Sequence, residues 1–462
     1  MSILSVEEAL ARCAEIDGAD TNIALRSVLA LDADAVDRTA RVEKNDGLLH
    51  GVPVLVKDNI EAEGLPCTAG SLALHGVPIR GDSIVASRLR RAGAVIIGAA
   101  NLSEWANIRS TNSSSGWSAV GGLVANPWVL DHSAGGSSSG SGAAVAAGIV
   151  PMAVGTETDG SIVCPASLNG VVGIKPTVGS VPTDGVVPIS ASQDTPGSLA
   201  RTVDEAERML AVLTDDVSLL SRSALVDVSS LSVGVVDAWR TGDQATDAVF
   251  DEALRYLKQL SQKVSSSQMI ATPDEVYTDE FTALVHELRS DLDDYLAARV
   301  TNSAPSSVRD VVEFNRANAE VELLHFGQEI FEMAAQSQGR AADDYVSARQ
   351  RNLEWVHNNL DVALQQHDIL ISPAYMPAWR TDFATGHPMA GGAVTSPAAI
   401  AGLPIVTIPM GLVAGLPVGL SLVGGMNSEA MLIALARSLE KTLGLVQDSQ
   451  WRPRFMRASQ AP

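Results

Sequence analysis

The sequence predicts an α/β fold: a single large body with a central twisted, mixed and mostly parallel sheet flanked by helices. Three observations carry this expectation. Between Met1 and about Leu213, short β-rich runs such as GVPVLV and AVIIG alternate with helical segments and glycine-rich turns, the pattern of strands joined by crossovers. A further βαβ unit follows, with SVGVVD as strand, AVFDEALRYLKQL as helix and another strand near Met269. From Asp368 the short apolar runs return, so the last segment is expected to complete the sheet begun by the first.

Taken in order, the elements carry local signals. Ser5 with Glu8 reads as a capping box opening the first helix, and Thr202 with Glu205 opens a second one ahead of EAERMLAVL. Acidic residues stand where an export signal carries basic ones, so a cytoplasmic location is expected. Residues 272–367 are rich in charge and helix formers and poor in glycine. They read as a helical layer inserted between 1–271 and 368–462, shaping the substrate entrance. Pro388 to Met426 carries no charge and is long enough to cross a bilayer. Pro404, Pro409 and Pro417, with Gly402, Gly411, Gly415 and Gly419, cut it instead into short buried strands and turns, so no membrane span is expected.

Composition narrows the function. The chain has 462 residues, 46% hydrophobic and 19% charged, enough for a large core. Its 32 basic and 54 acidic side chains leave a net charge of −22, which repels polyanions, and no basic run offsets it, so nucleic acid is not an expected partner. Cys13, Cys67 and Cys164 show no paired CxxC spacing, which suggests neither a disulfide framework nor a cysteine zinc site. No HExxH or comparable metal spacing occurs.

Three stretches carry candidate chemistry. VGTETDGSIVCP holds one serine, Ser161, which needs a base from elsewhere because the stretch has neither histidine nor lysine. HSAGGSSSGSGAAVAAG is a Gly/Ser-rich loop leading into a small-residue helix. It lacks the lysine of a phosphate loop, but it spells GxSxG around Ser138, the pattern of a nucleophile elbow, in a segment where composition alone produces the match. In GVPVLVKDNIEAEG, Lys57 ends an apolar run, where a lysine is costly unless used or paired. The eight histidines, His50, His75, His132, His286, His325, His357, His367 and His387, supply rival bases, although none sits in a catalytic motif.

In this order the three stretches resemble the amidase signature family: GVPVLVKDNI its lysine block, GGSSSGSGAAVAAG its Gly/Ser block, and GTETDGSIVCPASLNGVVGIKPT its nucleophile block. NLSEWAN, ANPW, AGLPIVTIPMG and LPVGLSLVGG extend the resemblance over most of the chain. It implies the amidase-signature fold and hydrolysis of a carboxamide through an acyl-enzyme, with no metal or organic cofactor. It further implies Ser161 as nucleophile, Ser137 as a bridging serine after a cis peptide bond from Gly136, and Lys57 as the base. The backbone N–H groups of Thr158, Asp159, Gly160 and Ser161 would form the oxyanion hole. Asp159 stands where many relatives have glycine, a departure that narrows the leaving-group side or brings a carboxylate towards the substrate amine.

Within the family the chain is most similar to bacterial peptide amidases, in NLSEWAN, GTETDGSIVCPAS, VPISASQDTPGSLARTV and FNRANAEVELLHFGQEIFEMA. The implied substrate is the C-terminal amide of peptides or amino acids, with Trp105 and Phe326 as candidate acyl-side contacts or, equally, core residues. Two alternatives remain open: an amidase of aryl or acyl amides, and the A-type subunit of a glutamine-dependent tRNA amidotransferase assembly.

Overall fold

The structure, a computed structural model, describes residues 4–41, 47–299, 305–388, 391–445, 448 and 451–457. Unbroken Val, Ile and Leu runs suit strands covered on both faces. In chain order the strands are β1 (Val28–Leu31), β2 (Pro53–Lys57), β3 (Val95–Ala100), β4 (Trp117–Ser118), β5 (Gly122–Leu123), β6 (Met152–Glu157), β7 (Val172–Lys175), β8 (Thr195–Ala200), β9 (Ser232–Val235), β10 (Lys263–Ser266), β11 (Ile369–Pro373), β12 (Ile405–Val413) and β13 (Leu416–Gly424). The short β4 and β5 pair with each other, and the rest form one sheet in the order β1-β3-β2-β6-β8-β7-β12-β13-β11-β9-β10.

The last segment does join the sheet begun by the first: β12 pairs with β7 and β11 pairs with β9. The sheet is mixed, as expected, but it is not mostly parallel. Among the described strands, only β2–β3, β2–β6, β9–β11 and β9–β10 run parallel, towards its two ends. The centre, from β6 through β8, β7, β12 and β13 to β11, is antiparallel throughout. One cause lies in Val413-Ala-Gly-Leu416, where Ala414 (φ 47°) and Gly415 (φ 79°) close β12 onto β13. Two central residues with positive φ make the tight turn that matches strand twist, and no crossover helix intervenes. The β12–β13 hairpin and the helix Thr395–Ala401 take up most of the uncharged stretch from 388 to 426. Among the described residues, no helix is long and apolar enough to cross a membrane.

Alternate residues of the strands face opposite cores. Val54 and Val56 join Ile96, Leu89, Leu210, Phe250 and Leu435 on one face, whereas Leu55 joins Ile97, Ala153, Val145 and Val6 on the other. The helix Ser139–Ala146 is buried along its whole length. A Cβ at Gly140 would collide with the Ser27 carbonyl and the Asn101 backbone, so only a small-residue helix can lie this close to the end of β3. Both capping boxes form, at Ser5–Glu8 and at Thr202–Glu205.

Between β10 and β11 lie the helices Asp274–Arg299, Val308–Ala317, Ala319–Glu322, Glu329–Gln336, Asp343–Val356 and Val362–Gln366. A buried ion cluster joins them to the loop after β3. Arg109, fully buried, reaches Glu104 Oε1 at 3.0 Å and Glu322 Oε2 at 3.6 Å, donates to the Glu322 carbonyl, and stacks its guanidinium 4.4 Å above the Phe326 ring. Glu322 in turn accepts the Ser71 hydroxyl at 3.0 Å and the Leu72 N–H at 2.6 Å. Removing one partner of such a cluster leaves buried charge uncompensated. Arg109→Met is therefore expected to lower unfolding stability by about 3–5 kcal/mol, read from denaturant titration, and a change within ~0.5 kcal/mol would show that the cluster does not hold the layer.

Candidate active site

Lys57 ends β2 and Glu157 ends the neighbouring parallel strand β6, so their side chains emerge at the carboxyl edge of that part of the sheet, where α/β proteins commonly place their sites. The Gly/Ser loop crosses this edge on its way from β3 to β6. Lys57 is fully buried, and its Nζ donates to Ser137 Oγ at 2.7 Å, to Thr156 Oγ1 at 2.9 Å and to the Thr156 carbonyl at 3.3 Å. The Gly136–Ser137 peptide bond is cis. One residue on, the Ser138 N–H donates to the Ser161 carbonyl at 3.1 Å, which ties the loop to the residue at the end of the TETDGS turn.

Gly160 has φ 79°, and a Cβ there would come within 2.6 Å of Tyr375 Oη, so glycine alone permits this bend. The turn is then fixed on both sides. Glu157 Oε2 accepts the N–H groups of Ile162 (2.6 Å) and Val163 (2.9 Å), and Asp194 Oδ1 accepts the Thr158 hydroxyl at 2.5 Å. Ser161, Thr158, Asp159 and Gly136 line a cavity of about 190 Å³ whose wall also includes Asn107, Ile108, Ile189, Leu284, Tyr375 and His387.

Burial dominates the electrostatics. It lowers the Lys57 pKa from 10.5 to about 7, against the opposing pull of Asp194 and Glu157. Asp194 is pushed up to about 6, again chiefly by burial. Burial also raises Asp159, which keeps an acceptor bond from Ser396 Oγ at 2.5 Å, and it raises Glu280 strongly, with repulsion from Asp159 adding to the effect.

The structure thus brings Lys57 to Ser137 and places Thr158, Asp159 and Ser161 on one cavity. Trp105 and Phe326 are not among the residues lining it: Trp105 packs edge-on against Phe331 in the core of the helical layer, and Phe326 lies between Arg109 and Trp117. Ser138 is buried, with its hydroxyl donating to the Thr156 carbonyl (3.0 Å) and accepting the Thr156 N–H (3.2 Å), so it braces β6. Of the histidines, His387 alone is among the cavity residues. Its Nδ1 meets Ser115 Oγ at 2.7 Å, and burial lowers its pKa to about 4, which keeps the ring neutral. Cys164 also lines the cavity, with its thiol pushed up to about 12 by burial.

The model of the family described as Amidase matches residues 5–433. The chain belongs to the amidase signature family. It is 34% identical over 431 residues to a probable amidase of Arabidopsis thaliana, covering 89% of this chain and 80% of that one. It is 31% identical over 466 residues to the A-type subunit of the glutamyl-tRNA(Gln) amidotransferase of Exiguobacterium sibiricum, covering 95% and 93%. Among solved structures, the peptide amidase PAM in complex with the competitive inhibitor chymostatin superimposes with a TM-score of 0.88 at 38% identity, over 94% of this chain and 93% of that one. This amidase is accordingly an amide-hydrolysing enzyme with the family's mixed-sheet α/β fold.

Motif reading leaves Thr156, Asp194, Tyr375 and His387 unassigned. Thr156 and Asp194 lie inside stretches that carry the resemblance, but nothing in their spacing says that they fold onto Lys57 and Thr158. Tyr375 and His387 come from the connection after β11, more than 200 residues from Ser161 in sequence, and carry no local signal.

Among the described residues, no group of three or more His, Cys, Asp or Glu side chains is placed to hold a metal ion. The lowered pKa of Lys57 has a consequence for stability. Below about pH 7 both the folded and the unfolded chain protonate this amine, and the cost of burying the charge is felt in full. Between about 7 and 10.5 only the unfolded chain holds the proton, so the cost fades as pH rises. The gain in denaturation midpoint of Lys57→Met over the parent should therefore be larger at pH 6 than at pH 10. Equal gains at both would contradict a buried, depressed amine.

Proposed function

We propose that the enzyme hydrolyses primary carboxamides, of C-terminal peptide or amino-acid amides in particular, through Ser161, Ser137 and Lys57. The observation that supports this most is the fully buried Lys57 amine, 2.7 Å from Ser137 Oγ. A lysine serves as base only in its neutral form, and a pKa near 7 supplies that form at ordinary pH. Ser137 Oγ–H gives its proton to Lys57 Nζ while accepting the proton of Ser161, whose oxygen attacks the substrate carbonyl. The carbonyl oxygen, now negative, is held by backbone N–H groups of the turn Thr158–Ser161. The proton returns along the same path to the amide nitrogen, ammonia leaves, and water enters along the reverse route to release the acid from Ser161.

The peptide assignment draws on the likeness to the chymostatin-bound peptide amidase and on the cavity itself. Ile108, Ile189, Leu284 and Tyr375 offer an apolar wall to the acyl side, taking the part that the sequence suggested for Trp105 and Phe326. Asp159, held by Ser396 on the same cavity, fills space that a larger leaving group would need. The likeness to the A-type component of an amidotransferase supports a second reading, in which the chain works within a glutamine-dependent assembly.

Ser161→Ala is expected to abolish turnover without loss of fold, and Lys57→Ala to lower kcat by orders of magnitude, whereas His387→Ala should keep most of it. A folded Ser161→Ala with parent-like activity would sink the triad. In the parent, kcat/KM should rise with pH as Lys57 loses its proton near 7 and then level off, and an activity maximum in acid would contradict the base. For the substrate, ammonia release is expected from N-protected amino-acid amides and short peptide amides, with the internal peptide bonds intact by mass spectrometry. Ammonia from glutamine alone, and only with partner proteins added, would favour the amidotransferase reading.

A further inference from the structure

The segment Ile189–Asp194, ISASQD, is bonded to two separate parts of the molecule. On one side it faces three carboxylates of the helix Asp274–Arg299. Ser190 Oγ donates to Glu287 Oε2, Ser192 Oγ donates to the same oxygen at 2.9 Å, Ala191 N–H to Asp291 Oδ2 at 2.7 Å, and Gln193 Nε2 to Glu280 Oε1 at 2.9 Å. On the other side Asp194 points inward. Its Oδ2 accepts the N–H groups of Ile189 (2.8 Å) and Ser190 (2.9 Å), while its Oδ1 accepts the Thr158 hydroxyl at 2.5 Å. With Asn59, Thr156 and Thr158 it also lines a small space of about 10 Å³, one water's worth, and Thr156 is the residue that shares Lys57 Nζ with Ser137.

We infer that Asp194 is a positioning residue for the hydrolysis: through Thr158 it fixes the turn that carries Ser161, and it sets a carboxylate close to Lys57. This rests on the Ser161–Ser137–Lys57 reading and adds to it a residue that touches no substrate. Two carboxylates act on Lys57, Asp194 from this segment and Glu157 from β6, and both favour its ammonium form while burial disfavours it. Asp194 is itself acted on by Asp291, which is paired with Arg340. Burial raises Asp194 to about 6 and lowers Lys57 to about 7, so the two groups titrate close together, and Asp194 in its anionic form favours the Lys57 ammonium. Removing that charge tips Lys57 towards the neutral amine at lower pH. Removing the Thr158 bond loosens the turn without touching the charge.

The test uses the full-length enzyme with an N-protected amino-acid amide. In Asp194→Asn, kcat is expected to fall by about tenfold to a hundredfold, the scale of a misplaced catalytic group, with KM little changed. The acid limb of its kcat/KM profile should also move to lower pH. Thr158→Val, which keeps both the backbone N–H and the Asp194 charge, should lose kcat with the limb in place, and Asp194→Glu should leave the limb where the parent has it. A merely structural role lowers kcat in all three and moves no limb. An unshifted limb in folded Asp194→Asn, or parent-like kcat in Thr158→Val, overturns the inference. If Asp194→Asn does not fold, Asp194→Ser takes its place for the limb, which must again move to lower pH, and parent-like kcat in Thr158→Val still overturns the inference. Parent-like turnover in Lys57→Ala or Ser161→Ala would instead overturn the reading of the site, so the two failures are distinct.

Discussion

The structure depends on an amine held where water does not reach. Lys57 has no exposed surface, and its Nζ is surrounded by oxygens from Ser137 and Thr156, with the carboxylates of Asp194 and Glu157 favouring its charged form. Desolvating a charged ammonium is expensive, and the surrounding dipoles and carboxylates return only part of that cost. The balance leaves a group that gives up its proton easily, which is the property a hydroxyl nucleophile requires of its partner. Were Lys57 solvated, it would stay charged and would pair with an acid.

That balance needs three chain segments, far apart in sequence, to meet at fixed positions, and the sheet supplies them. Parallel pairing of β2 with β6 puts Lys57 beside Thr156. The small-residue helix Ser139–Ala146 lies against the strand edge because its glycines allow it, which brings Ser137 within reach. The turn to Ser161 is then held by bonds from Glu157 beneath it and Asp194 beside it. Lys175, buried nearby, donates to the Leu403 carbonyl at 2.7 Å and offsets some of the acid charge around Glu157 and Asp159.

Much of this was legible in the sequence, for identifiable reasons. Lys57, Ser137 and Ser161 lie in long local motifs, and Ser5–Glu8 and Thr202–Glu205 announce helix starts through chemistry that acts over three residues. The direction of the central strands was not legible. PVGLSLVG and PIVTIP look the same whether they enter a sheet parallel or antiparallel, and the deciding feature is the two-residue Ala414-Gly415 turn. Trp105 and Phe326 read from the sequence equally as acyl-side contacts or as core, and the packing of Phe326 on Arg109 and of Trp105 on Phe331 could not be seen from either segment alone. Asp194 was invisible as part of the site because its partner, Thr158, is 36 residues away and joined to it only by the fold.

The Arg109 cluster has a further consequence for how such a protein can change over time. Glu322 belongs to the helical layer, Glu104 and Arg109 to the loop after β3, and Ser71 to a third segment, yet they share one dry set of charges. A layer borrowed from a relative that lacks this acid would leave the host's guanidinium facing an apolar or wrongly charged partner. Recombination here is therefore constrained at residues remote from the chemistry. The layer can vary freely on its outer faces, but its innermost turn must be inherited together with the loop it grips.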